Sequence, residues 1–90
     1  MTGSGDPKTL VSIEAEYQTF ARSLAATVRT LRKRRGWLLR DLERETGVKI
    51  GMLAPTERGD VSMTISRLSK IAFAFRMRPS QLLQLAQVAR

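Results

Sequence analysis

Apolar residues recur at helical spacing through the first third of the chain. Asp6-Pro7 is a helix-start pair, because Asp caps a helix and the fixed φ of Pro suits the first turn. No further Gly or Pro occurs until Gly36. The pattern fits one long helix or two helices with a break near Gln18 and Thr19. We expect the break, since the first half of a single helix would have little to pack on. The apolar positions, three or four residues apart, are Leu10, Ile13, Tyr17, Phe20, Leu24, Val28 and Leu31.

Two shorter segments follow, separated by a tight glycine turn. Residues 37–46 are predicted to form a second helix, which stops at Gly47. Residues 49–57 form a third segment with a charged exit at Gly59. Two helices joined in this way can present the second one to the DNA major groove. The residues expected to face inward are Leu39, Leu42, Met52 and Leu53.

Pro55 conflicts with a regular third helix. It has no N–H to donate to the carbonyl of Gly51, its ring collides with that carbonyl, and Ala54 is pushed away from helical geometry. An interior Gly is also costly in a helix. We therefore expect the helix to start late, near Leu53, or to kink, with irregular backbone over residues 49–54.

The last third of the chain predicts two more helices. Ser62 or Thr64 can cap a fourth helix, and Pro79 opens a fifth. Leu85 and Val88 fall on a face that the core does not need. The residues expected in the core are Ile65, Leu68, Ile71, Ala72, Phe75, Leu82, Leu83 and Ala86.

No segment has strand periodicity, so the predicted fold is all-α, a compact bundle of five or six short helices containing a helix-turn-helix. Its 90 residues suffice for one domain with a modest core. We expect residues 1–5 to be a disordered leader, residues 6–19 an extra N-terminal helix, and residues 20–90 the helix-turn-helix domain.

The charge is strongly positive and unevenly distributed. The net charge is +8, but residues 1–19 hold one Lys against three acids, which makes them −2 and leaves the remainder at +10. This balance favours a polyanionic partner, with nucleic acid ahead of an anionic membrane. The longest clean apolar run, residues 71–75, is far shorter than the ~20 residues that span a bilayer. Residues 1–8 lack a signal-peptide core, so we expect a cytoplasmic protein.

The chain lacks two residue types that many enzymes use in catalysis, and its acidic residues mostly stand beside arginines. There is no Cys and no His, which excludes disulfides, thiol and imidazole catalysis and the usual zinc sites. Asp41 and Glu45, one helical turn apart, could be imagined as a carboxylate pair. They alternate with Arg40 and Arg44, so a solvated face with helical ion pairs is the better interpretation. We expect no enzyme activity, cofactor or metal.

Residues 32–35 are four consecutive cations before Gly36. Positive charge in a last turn complements the helix dipole, which explains the run on structural grounds. The same side chains can contact phosphates, and the two roles are compatible. Trp37, directly after the run, is expected to cover the core rather than to stack on bases.

The joint spacing of these residues resembles the λ-repressor-like family, the Cro/repressor or XRE-like helix-turn-helix domains. The resemblance covers about residues 20–85. It implies a homodimer on a pseudo-palindromic operator, with the third helix in the major groove. It also implies a buried ion pair between Arg32 and Glu57, against the alternative of two unrelated surface charges. The matching residues are Leu31, Arg32, Arg35, Gly36, Leu42, Gly47, Val48, Leu53, Glu57, Gly59, Leu68, Ile71, Ala72, Leu82 and Leu83.

Several positions depart from the family pattern. Leu38 and Leu39 stand where a capping residue and Gln are usual, and Glu43 replaces a small residue. Direct readout uses bidentate donors and acceptors, each pair giving ~1–3 kcal/mol of discrimination, and only Lys49 is of a suitable type. The positions that the resemblance places at base edges are Lys49, Ile50, Gly51, Ala54 and Pro55.

Two functions remain open from the sequence. The first is a sequence-directed transcriptional regulator that binds double-stranded DNA as a homodimer, a small bacterial or phage/plasmid-type repressor. Lys49 and Arg58 would contact the groove or phosphates, and Arg34, Arg35 and Arg40 would contact the backbone. Apolar contact and DNA shape would supply specificity.

The second function is a degenerate helix-turn-helix that binds another regulatory protein, a toxin or a polymerase subunit. An apolar patch would carry this interaction. Its members would be Leu38, Leu39, Ile50, Met52 and Pro55. For the dimer, Leu85 and Val88 on the last helix are the first candidates, and the second candidates are Leu10, Ile13 and Tyr17.

Overall fold

The computed structural model describes residues 7–89, with side chains from residue 12 onward. The expected leader of residues 1–5 and the capping role of Asp6 lie outside the described residues. No strand occurs in the part of the chain that is described, and the all-α prediction is confirmed. The five helices are α1 (Pro7–Arg34), α2 (Leu39–Thr46), α3 (Ile50–Arg58), α4 (Ile65–Ala74) and α5 (Pro79–Ala89).

The expected break in α1 is wrong, because the helix runs without interruption. The polar side chains at the expected break bond within the helix. Gln18 donates to Glu14 Oε2 at 3.0 Å, and the Thr19 hydroxyl donates to the carbonyl of Ala15 at 3.0 Å. Every side chain from residue 12 to 19 is nevertheless exposed. The first half of α1 therefore stays helical although its side chains are largely open to solvent.

The second half of α1 packs against α3 and α5, while α2 packs against α3 and α4. Apolar side chains from all five helices meet between them and form one core. The members that are almost completely buried are Leu24, Val28, Leu42, Leu53, Leu68, Ile71, Ala72, Phe75, Leu82 and Ala86. Most of the predicted core is thus confirmed.

Two residues expected in the core are exposed instead. Met52 is 37% exposed, because it precedes the fully buried Leu53 and adjacent residues of a helix point about 100° apart. Ile65 is 77% exposed. It is the first residue of α4, and a helical side chain leans toward the N-terminus, so Ile65 leans away from the rest of its helix.

The expected irregular backbone before Pro55 is also wrong, since α3 is helical throughout with Pro55 inside it. Proline removes only one helical hydrogen bond, and the bonds on both sides are made. Leu53 donates to the carbonyl of Lys49 at 2.9 Å, and Asp60 donates to the carbonyl of Pro55 at 2.9 Å. The complete burial of Leu53 adds packing energy. Tertiary contacts thus outweigh the ~3 kcal/mol that an interior proline costs.

The turns position the helices. Gly47 ends α2 with a left-handed φ of 77° and donates to the carbonyl of Glu43 at 2.7 Å, a conformation that glycine adopts without strain. Helix α2 begins at Leu39, two residues after the predicted start at residue 37. Thr64, rather than Ser62, caps α4 by accepting a hydrogen bond from Arg67 N–H at 3.1 Å.

Candidate nucleic-acid interface

The helix-turn-helix consists of α2, the turn at Gly47 and α3. Its inner face is held by Leu42 and Leu53, which are both fully buried. Val48 N–H donates to the Thr46 hydroxyl at 3.0 Å and fixes the turn. Lys49 lies at the N-cap of α3, and its side chain is highly exposed. The turn therefore presents the first residues of α3 to the solvent.

An ion pair joins α1 to the end of α3. Arg32 Nε lies 2.7 Å from Glu57 Oε2, and Nη2 lies 3.0 Å from Oε1. The third contact of the guanidinium is a hydrogen bond from Nη1 to the carbonyl of Trp37 at 2.8 Å. The two side chains are only 11% and 5% exposed. The hydrogen bond to Glu57 raises the pKa of Arg32, while burial acts in the opposite direction. This bidentate pair fixes the direction in which α3 leaves the core.

A second cation is held by aromatic rings. Trp37 and Phe75 stack with their centroids 5.5 Å apart. The guanidinium of Arg35 lies 5.3 Å and 5.6 Å from the two ring centroids and donates to the carbonyl of Phe75 at 3.1 Å. Trp37 is half-buried against the core, as expected. A DNA contact by Arg35 would have to use the N–H donors that remain.

The five positions assigned to base reading divide into two groups. Lys49, Ile50 and Gly51 at the start of α3 are exposed, whereas Ala54 and Pro55 are half-buried. A Cβ at Gly51 would meet no atom within 4 Å, and its φ is not left-handed. The fold therefore does not require glycine there, and the start of α3 leaves room for close approach by a partner.

The remaining basic candidates lie at different places. Arg40 is exposed on α2, and Lys49 Nζ lies 3.9 Å from Glu43 Oε2. Arg58 is exposed at the end of α3, where its Nε lies 2.7 Å from Asp60. The structure places Arg34 elsewhere, in a groove between α1 and α5 beside Leu85 and Ala89.

The carboxylates of α2 have local structural roles. Asp41 accepts a hydrogen bond from Leu38 N–H at 2.7 Å and one from Arg44 at 3.0 Å. The first of these bonds is the main reason why the pKa of Asp41 is lowered. Glu45 lies 3.5 Å from Arg44. Within residues 7–89, no group of three or more acidic side chains is arranged to hold a metal ion.

The candidate dimer residues are exposed at both ends of the chain. Leu85 and Val88 on α5 are 41% and 75% exposed, and Ile13 and Tyr17 on α1 are 57% and 51% exposed. The side chain of Leu10 lies outside the described residues.

Among the helices that the structure describes, none combines the length and the apolar character that crossing a bilayer requires.

Sequence reasoning missed one surface feature, an apolar groove between α1 and the loop that joins α3 to α4. Val61 and Met63 of that loop line it. Their contribution gave no signal in the sequence, because a loop has no hydrophobic period.

Comparison with known proteins bears directly on this site. Residues 27–87 match the model of the Cro/C1-type HTH DNA-binding domain. Over 55 residues, the chain is 44% identical to the HTH-type transcriptional regulator SutR of Escherichia coli (strain K12). The match includes 61% of this chain but only 31% of SutR. No solved structure gives a significant match. Since the family model spans more than half of the residues, including α2, its turn and α3, the chain belongs to the Cro/C1-type helix-turn-helix DNA-binding family.

Proposed function

We propose that this protein is a transcriptional regulator that binds double-stranded DNA as a homodimer, a small repressor of the bacterial or phage/plasmid type. One observation carries the proposal. The Gly47 turn and the Arg32–Glu57 pair hold α3 so that its first residues are exposed. Residues 20–90, which contain these elements, carry a net charge of +10. A positive, preformed helix end is what the major groove accepts.

The side chains at this end suit the DNA backbone better than the base edges. Lys49 and Arg40 supply charge for phosphates near the start of α3. Arg58 at the other end of α3 and the remaining donors of Arg35 are further backbone contacts. Arg34 would reach the backbone only from outside this face, since it lies in the groove between α1 and α5. Ile50 is apolar and can contact a thymine methyl group. Sequence preference therefore comes from apolar contact and DNA shape rather than from a set of bidentate hydrogen bonds.

The salt dependence of binding tests this proposal. A dimer that neutralises about four to eight phosphates should show a log–log slope of roughly −4 to −7. Fluorescence anisotropy with a labelled duplex measures this slope. An affinity that stays constant from low to moderate salt would overturn the DNA-binding function.

A charge-reversal pair locates the interface. Arg40→Glu with Lys49→Glu should weaken binding to all duplexes alike, because both side chains are assigned to phosphates. The matched control is Arg29→Glu with Lys70→Glu, which reverses two exposed charges on α1 and α4. Equal losses of affinity in the two double variants would show that net charge alone attracts the DNA.

A specific observation supports a second candidate function, a module that binds another regulator, a toxin or a polymerase subunit. Leu38, Ile50 and Met52 are 54%, 38% and 37% exposed, although Leu39 and Pro55 are half-buried and contribute less. Leu38→Lys separates the candidates. It should preserve or strengthen DNA binding if this face meets phosphates, and it should weaken a protein complex if the face is an apolar docking patch.

A further inference from the structure

The groove missed by sequence reasoning lies where α1 leaves the body of the protein. It has a volume of about 210 Å³. Its walls are mostly apolar, and its lining side chains include Tyr17, Phe20, Leu24, Val61, Met63 and Ile65. Ile65 is 77% exposed at the edge. The groove therefore leaves apolar surface in contact with water.

Residues 12–19 of α1 extend from the same place, and we call them the arm. All eight side chains of the arm are exposed. Ile13 and Tyr17 are four residues apart, so they lie on one face of the helix. Farther along the same stripe, Leu24 is in the core. The apolar face of α1 thus continues out of the folded body without a cover.

We propose that the arm of one copy occupies the groove of a second copy, and the reverse, in a two-fold symmetric dimer. The proposal deepens the homodimer of the proposed function, on which it rests. Tyr17 belongs to the arm and also lines the groove. One continuous patch therefore carries both halves of the contact, which is the condition for a self-complementary two-fold interface.

Charge favours a second copy as the occupant. The arm carries Glu14 and Glu16 and no basic side chain. The groove has cations at its edges. Arg22 lies beside Gly59 of the groove wall, since its Cγ would be 3.9 Å from a Cβ there. Arg67 Nη1 donates at 2.6 Å to the carbonyl of Ser62, between Val61 and Met63. An acidic arm and a basic groove edge attract each other when two copies meet.

Cysteine cross-linking tests the pairing directly, because the chain has no cysteine of its own. The full-length Ile13→Cys protein is mixed with full-length Ile65→Cys protein under mild oxidation. The expected product is a mixed disulfide between arm and groove. Val88→Cys mixed with Ile65→Cys is the matched control, because Val88, like Ile13, is an exposed apolar residue, and the proposed interface leaves it out. Equal yields in the two mixtures would overturn the proposal.

Association measured by sedimentation at tens of micromolar gives a second test. Tyr17→Arg and Ile65→Glu should each weaken the dimer by at least about tenfold, since each places a charge in an apolar contact. Val88→Glu should leave association unchanged. A parent that remains monomeric, or a dimer that only Val88→Glu weakens, overturns the arm and groove interface.

These results are separable from the DNA-binding test. A monomer that binds a single half-site, with a salt slope about half that expected for the dimer, would overturn the arm and groove interface and leave DNA binding intact. A dimer that depends on Tyr17 and Ile65 but binds no DNA would support the interface and overturn the proposed function.

Discussion

The two halves of α1 share one hydrophobic pattern and differ in almost everything else. In the second half, Leu24 and Val28 are 5% and 0% exposed, and Arg32 is paired with Glu57. In the first half, Ile13 and Tyr17 are more than half exposed on the same stripe. Periodicity therefore shows which face of a helix is apolar, but it does not show what covers that face.

The family match begins inside the packed half of α1. The model of the Cro/C1-type domain begins at residue 27, within the packed half of α1. The arm lies outside it. The end of the packed half is thus part of the Cro/C1-type domain, whereas the arm and residues 20–26 precede the matched segment. Substituting one residue of the body and one of the arm measures how far the two halves differ in stability.

The largest difference is expected between two glutamates. Glu57→Ala should lower the free energy of unfolding by ~3–5 kcal/mol, because it leaves the buried guanidinium of Arg32 without its carboxylate. Glu14→Ala should change stability by less than about 0.5 kcal/mol, since Glu14 is exposed on the arm. Urea denaturation followed by circular dichroism measures both.

The glutamate pair also tests whether the Arg32–Glu57 contact is structural. Equal, small losses in the two variants would show that water screens the contact. Arg32→Met with Glu57→Leu is a useful companion, because replacing both partners by apolar residues should cost less than removing one.

The next difference concerns two apolar residues of the stripe. Leu24→Ala should destabilise the protein by ~2–5 kcal/mol, because it removes methyl groups from a packed core and leaves a cavity. Ile13→Ala should have almost no effect on the unfolding of the monomer. Thermal melts at low micromolar concentration, where association is weak, measure this contrast. A large loss from Ile13→Ala would show that the arm packs on its own body.

Much of the fold was predictable because its signals are local. Gly47 and Gly59 adopt a left-handed φ and end α2 and α3. Thr64 caps the start of α4, and Pro79 is the first residue of α5. These residues act through neighbours within a few positions. The ends of α2 and α3 and the starts of α4 and α5 were therefore predicted, whereas the break in α1 and the late start of α3 were wrong.

The wrong predictions concern features that depend on contacts between residues far apart in the sequence. Pro55 is tolerated because the buried residues Leu53 and Thr56 anchor α3 on both sides. The partners of Arg35 include Phe75, which is 40 positions away and was not predicted as a partner. The Arg32–Glu57 pair was expected chiefly through the family resemblance. No local pattern in the sequence joins two residues that are 25 positions apart.

The site was predictable as a region but not as a set of exposed side chains. The turn and the third helix were located from glycine spacing. The solvent-facing residues of the third helix could not be predicted in the same way. A helix of nine residues has too few turns to show a clear hydrophobic period. Met52 was assigned inward for this reason, and it is exposed.

The smallest difference is expected between two alanines on exposed positions of α1, Ala26 in the packed half and Ala15 in the arm. Glycine costs about 1 kcal/mol relative to alanine inside a helix. Ala26→Gly should lower global stability by that amount, because this turn unfolds only with the whole domain. Ala15→Gly should leave global stability unchanged and instead speed amide hydrogen exchange in the arm, since a poorly packed segment opens locally. Hydrogen exchange measured by NMR, at protein concentrations too low for association, distinguishes the two variants. Equal losses of global stability would mean that the arm and the body unfold as one cooperative unit.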